Sequence, residues 1–275
     1  MENIITAVAT GLLVLVGVAQ AGILIAQKRQ ARLALISEYW KRWNECRDNW
    51  GRVVFVGRCQ NEYYQVLGRN DVAELRRQVG EENLESPAIW ALDSMRAVCG
   101  ILGDVSMRIL QRQLNVSDAY PVFGTELLRH SRPLRKILDS LYKDEYFDDD
   151  IHDHHLSVRR ELQVWLIYHD GLRRRCLILL DLLWAEAVRL EDLAPSDIAT
   201  AAEAKKRTGA SNRARVFLET LRLNGLWHLG FAWRLSRFLR HSEYKSICNW
   251  MGISKSRLSK LDSKWTERLL HDRIK

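Results

Sequence analysis

Proline and glycine are scarce in this sequence, at 4 and 15 of 275 residues. So few breakers exclude a turn-rich β-sandwich and favour long helices. Period-two alternation of useful length, the mark of a half-buried strand, is absent. The cysteines (Cys46, Cys59, Cys99, Cys176 and Cys248) are odd in number, scattered and in no C-x-x-C pair. That excludes a disulfide framework, argues against a structural zinc site and fits reduced thiols in a cytosolic compartment. A Gly-rich phosphate loop, a G-x-S-x-G elbow and an H-E-x-x-H pair are all missing. Groups able to do acid–base work (His130, His169, His228, Asp170 and Asp181) each stand alone in the sequence. No catalytic activity and no cofactor are therefore expected.

Apolar residues make up 47% of the chain, enough to build a core. The net charge of +8 is unevenly placed: residues 193–275 hold 17 Lys/Arg against 7 Asp/Glu, or +10, leaving −2 for the rest. A basic last third suits a polyanionic partner, either DNA or an anionic lipid surface, although a solvated basic face carries such charge equally well.

Residues 4–26 carry no charge and one strongly polar side chain, Gln20. As a helix this run spans roughly 34 Å, slightly more than a hydrocarbon core of about 30 Å. Lys28, Arg29 and Arg32 follow at once, whereas only Glu2 precedes. The positive-inside bias then puts the body in the cytoplasm and the short amino terminus outside, as a single-pass protein. Ala19-Gln20-Ala21 resembles a signal-peptide cleavage site, but the segment before the run is acidic and the run is too long. Small residues four apart (Ala7/Gly11, Gly17/Ala21 and Gly22/Ala26) would let two such helices approach closely. Gly11, Gly17, Gln20 and Gly22 are thus the candidate contacts of a homo-oligomer.

Beyond the anchor, residues 27–67 read as a long helix or helix pair, with Trp40, Trp43 and Trp50 on one packing face. A polar break at 68–87 holds a short helix around 72–79. An amphipathic helix follows over 88–114, with Ile89, Leu92, Val98, Ile101, Leu102, Val105, Ile109 and Leu110 at helical spacing. Residues 156–193 read as one central core helix in which the consecutive Arg173, Arg174 and Arg175 fan around the helix instead of forming a clamp. Ala194-Pro195-Ser196-Asp197 starts another helix and suits a domain boundary. The fold expected is all-α, divided into a transmembrane anchor (1–27), a cytoplasmic helical domain (28–193) and a smaller basic helical unit (194–275).

The stretch DEYFDDDIHDHH at 144–155 mixes carboxylates with His152, His154 and His155, all ligand types for Zn²⁺ or Mn²⁺. An acidic loop offsetting the dipole of the next helix is the better reading, and no metal is expected.

SICNWMGISKSRLSKL at 246–261 has the spacing of a helix-turn-helix. Ile247, Met251, Ile253, Leu258 and Leu261 occupy the locking positions, Cys248 the crossing position, and Gly252 the turn. Lys255, Ser256, Arg257, Ser259 and Lys260 would face DNA, being the types that contact phosphates and base edges. Residues 226–240 offer a supporting helix, with Trp227, Phe231, Leu235, Phe238 and Leu239 opposite Arg234, Arg237 and Arg240. The same basic amphipathic helix could instead lie on an anionic leaflet. Residues 244–263 in this sense resemble the helix-turn-helix superfamily.

Residues 4–50, together with ALDSMRAVCGILGDV and PLRKIL, resemble bacterial single-pass membrane-anchored helical proteins of unknown function. That resemblance implies an inner-membrane interaction or regulatory role, in stress or phage response, with an unidentified protein partner and no activity. The alternative is a membrane-tethered helix-turn-helix regulator of DNA.

Overall fold

A computed structural model describes the backbone of residues 2–58, 70, 71, 73, 74, 77, 85–139, 153–247 and 250–274. Side chains are described there except at 2–15, 85–88, 153–157 and 268–274. The chain is all-α. Its helices are α1 (Glu2–Glu45), α2 (Arg47–Gly57), α3 (Glu85–Leu110), α4 (Val116–Arg129), α5 (Ser131–Leu138), α6 (Asp153–Tyr168), α7 (Asp170–Leu190), α8 (Pro195–Asn224), α9 (Leu229–Phe238) and α10 (Lys255–Ile274). Short 3₁₀ turns, Leu226–His228 and Leu239–Ser242, flank α9.

The centre of the molecule is α7. From Cys176 to Val188 every side chain but Trp184 is buried, so the helix is enclosed on all sides. Helices α3 and α4, the second 3₁₀ turn, α5, α6 and α8 pack around it. The central helix expected over 156–193 is thus present but divided at His169, which leaves helical geometry at φ −116°, ψ 39°. No breaker residue marks that point. The buried cluster runs from Tyr39 to Ile253 and draws on α8 and α9 as well as on the helices before them.

The first helix, α1, is one continuous 44-residue element. Only its last turns join the core: Tyr39 and Trp43 are buried, and Leu35 and Ile36 partly so. The Trp43 ring lies edge-on to Phe123 at 5.0 Å and 5.8 Å from Trp50. Tyr39 Oη donates to Asp104 Oδ2 at 2.7 Å, and burial with that carboxylate pushes the phenol up to about 12. Trp40 is 58% exposed, so it does not share the face of Trp43 and Trp50 as expected. Three residues along an α-helix turn the side chain about 60° away, enough to put Trp40 in solvent. Ile89, placed on the packing face of α3 by its spacing, is exposed for the same kind of reason.

Gly57 ends α2 against Pro133, the start of α5. A Cβ there would stand 2.5 Å from the Pro133 carbonyl oxygen and 2.7 Å from its carbon. Backbone cannot yield as a flexible side chain does. Gly57→Ala is expected to lower stability by about 1–3 kcal/mol, read as a shifted urea midpoint with an unchanged slope.

Among the described residues no helix is long and apolar enough to cross a membrane. The run 4–26 extends into residues 4–15, whose side chains lie outside the described set. The short helix expected around 72–79 also falls largely outside it.

Candidate functional site

Helix α7 carries one carboxylate into the core. Asp181 has no exposed surface, and three cations converge on it from two other helices. Arg135 Nη2 on α5 donates to Oδ1 at 2.9 Å, Lys205 Nζ on α8 to the same oxygen at 2.5 Å, and Arg215 Nη1 lies 3.9 Å from Oδ2. Burial alone would raise the Asp181 pKa, but Lys205, Arg135 and Arg215 outweigh it and hold the carboxyl at about 2. Lys205 is lowered as well: its burial, with Arg135 and Arg215 beside it, outweighs the pull of Asp181. One anion is thus shared among three cations. A carboxylate ionised this firmly is a poor proton acceptor, so the arrangement serves as a lock between α5, α7 and α8. Its isolation in the sequence is corrected by the fold.

The arginine run of α7 lies beside this lock, and instead of only fanning around the helix its members converge in pairs on Asp170 and Glu219. Arg173 donates to Leu138 O at 3.1 Å and to Asp170. Arg174 and Arg175 turn to Glu219 of α8, at 3.5 and 3.7 Å. Elsewhere on the list of acid–base candidates, His169 stacks on Trp165 at 4.4 Å and contacts its carbonyl through Nδ1 at 2.8 Å. His228 contacts Asn224 O at 3.1 Å, and burial lowers His130. None of these histidines shares a site with Asp181 in the described contacts.

The helix-turn-helix expected at 246–261 is not formed. Among the described residues of 245–254 none is helical, and Cys248 and Asn249 lie outside the described set. Instead Tyr244 and Ile253 form an isolated parallel bridge, closed by Lys245 N to Ile253 O and Ile253 N to Glu243 O, both 2.9 Å. A helix from Tyr244 to Ile253 would hold its ends about 13.5 Å apart, whereas bridged backbones lie about 4.8 Å apart. Gly252 is the turn as expected, with φ +115°, and a Cβ on it would meet Glu243 O at 2.6 Å. Ile247, intended as a locking residue, is fully exposed, while Ile253 is buried.

The second half of that motif is a true helix. Ser254 caps α10, accepting from Arg257 N at 3.1 Å. Leu258 packs on the core. Lys255, Ser256, Ser259 and Lys260 are exposed and fall within one face at 100° per residue. Arg257 leaves this face to pair with Glu191 at the end of α7. Both partners reach solvent, so Arg257→Ala is expected to cost less than about 1 kcal/mol, checked by thermal melting.

The expected supporting helix is also redrawn. In α9, Ala232 and Leu235 are buried, followed by Leu239, with Phe231 and Phe238 partly so. Trp227, placed on the buried face by its spacing, is 98% exposed, because Gly225 (φ +73°) ends α8 and a 3₁₀ turn resets the helical phase.

In α1, residues 16–31 are exposed throughout, including Gly17, Gln20 and Gly22. A Cβ at Gly17 or Gly22 would touch nothing within 4 Å. Gly11 lies among the side chains outside the described set, as do those of His154 and His155, and His152 is outside it altogether. No family model, curated protein or solved structure matches the chain.

Proposed function

We propose that the chain is a membrane-anchored helical interaction or regulatory protein without catalytic activity, with α1 as its single anchor in the bacterial inner membrane and its body in the cytoplasm. The observation that carries this reading is the exposed stem of α1. Val16, Val18, Ile23, Leu24 and Ile25 stand in solvent on a helix that ends by docking Tyr39 and Trp43 in the core. Water is a poor environment for such a row, and no other part of the described chain covers it. Lys28 and Arg29, both exposed, stop the apolar run at the cytoplasmic side. The test is extraction of membranes at alkaline pH. The full chain is expected to stay in the pellet. Val16→Arg combined with Val18→Arg is expected to release it, since each cation near the middle of a span costs about 2.5–3.5 kcal/mol. A soluble wild-type chain would end the proposal.

A second reading, contact with DNA through α10, draws on the exposed row Lys255, Ser256, Ser259 and Lys260. Each phosphate contact contributes about −0.9 to the log–log salt slope. Lys255→Ala with Lys260→Ala is therefore expected to flatten that slope by about 2. A full chain that fails to bind duplex DNA at low salt removes the reading.

A further inference from the structure

The α8–α9 corner exposes more large apolar surface than the stem of α1 explains. Leu229 and Trp233, four apart on α9, form an exposed stripe, and Leu226 and Trp227 are exposed in the 3₁₀ turn before it. Arg237 continues the stripe. Its guanidinium lies 5.0 Å from the Trp233 ring centre and 5.5 Å from that of the exposed Trp250, which brings that second ring to the same face. Arg234 is exposed one turn below Gly230. Large apolar groups interleaved with arginine suit the boundary between lipid headgroups and acyl chains, where tryptophan is enriched and cations meet anionic lipid.

Its position in the molecule bears on what covers it. The junction of α3 and α4 touches both α1 and this corner: the first turn of α4 meets α1, and the end of α3 with the turn after it meets the corner. On one side Arg32 of α1 lies 3.4 Å from Asp118. On the other, Asn224 Nδ2 donates to Leu110 O at 2.8 Å, and Arg112 lies 5.2 Å from the Phe231 ring centre. Arg32 is about 9 Å along the helix from Ala26, where the apolar run ends. The stem and the corner therefore emerge at the same end of the body.

We infer that the α8–α9 corner, through Leu226, Trp227, Leu229 and Trp233 with Arg234 and Arg237, rests on an anionic bilayer leaflet as a second membrane contact beside α1. The inference rests on the proposed anchoring, and the experiment separates the two. Gly22, Gly100 and Gly230 each have nothing within 4 Å of an added Cβ, which makes them suitable positions for a cysteine carrying a nitroxide label. The full chain carrying Gly22→Cys, Gly100→Cys or Gly230→Cys is reconstituted in phosphatidylcholine vesicles with and without phosphatidylglycerol, and signal from native thiols is subtracted. Collision of the label with oxygen, against collision with a water-soluble nickel chelate, reports its depth.

The label at 22 is expected in hydrocarbon, that at 100 in water, and that at 230 at headgroup depth, with a several-fold higher oxygen-to-nickel ratio when phosphatidylglycerol is present. Trp227→Ser with Trp233→Ser, both exposed and so harmless to folding, is expected to return the label at 230 to the value at 100. A buried label at 22 with an aqueous label at 230 overturns the corner and leaves the anchor standing. An aqueous label at 22 with a lipid-facing label at 230 removes the anchor and keeps the corner. If both are aqueous, both readings fall. A depth at 230 that ignores phosphatidylglycerol refutes the anionic preference.

Discussion

Asp181→Ala is expected to cost about 3–5 kcal/mol of folding free energy. The substitution removes few packed atoms. Its effect comes from leaving Arg135, Lys205 and Arg215 facing one another without the carboxylate that two of them hydrogen-bond. Asp181→Leu fills the volume but keeps that repulsion, so it too is expected to destabilise. Adding Lys205→Met should then recover part of the loss, because it removes the most buried of the three charges. Denaturant midpoints at neutral pH check all three variants, and an Asp181→Ala chain as stable as wild type would show that the lock contributes nothing.

Acid probes the same contact without mutation. The folded carboxyl titrates at about 2, below its ordinary 3.8. A group depressed on folding stabilises above its ordinary value and loses that contribution as pH falls through the window to the folded value. Roughly 2 kcal/mol should therefore disappear between about pH 4 and pH 2. In the Asp181→Asn chain that segment of the pH profile is expected to be flatter.

Trp50→Ala is the second large effect, also about 3–5 kcal/mol. Trp50 is 1% exposed on α2, and with Phe123 of α4 it forms the socket in which Trp43, at the root of α1, sits. Trp50 Nε1 has no hydrogen-bond partner among the described residues. A buried indole without a partner carries the desolvation cost of its N–H, so Trp50→Phe removes that cost along with part of the ring. The phenylalanine variant should consequently retain most of the wild-type stability while the alanine variant does not. Equal losses in the two would mean that the indole N–H is satisfied in solution. Limited proteolysis within residues 27–38 should rise in the alanine variant, as the root of α1 loosens before the rest unfolds.

Much of this fold was legible in the sequence, for identifiable reasons. With few prolines and glycines, apolar spacing near 3.6 had little competition, so the helix at 88–114 and the buried α7 could be read directly. The breaks at Cys46 and His169 could not, because they come from packing and no breaker residue occupies them. The ion lock was hidden by distance along the chain: Arg135, Asp181, Lys205 and Arg215 meet only when α5, α7 and α8 assemble. One signal did exist, since a lone aspartate inside LILLDLLW on a helix bound for the core requires partners. The helix-turn-helix pattern misled because its locking positions prescribe apolar residues and a glycine. The backbone bridge between Tyr244 and Ile253 buries Ile253 and turns at Gly252 within a loop, while Ile247 is left exposed. Trp227 shows a related failure, as a single 3₁₀ turn changes which way a ring faces.

Between Gly22 and Glu45, α1 contains neither glycine nor proline, and its root is fixed by Trp43, by Tyr39 on Asp104 and by Arg32 on Asp118. A helix clamped in this way behaves as a drive shaft. Rotation or tilt applied to its free end cannot be absorbed at a hinge, so it reaches the body as torque, through the helices α3 and α4 that hold both clamps.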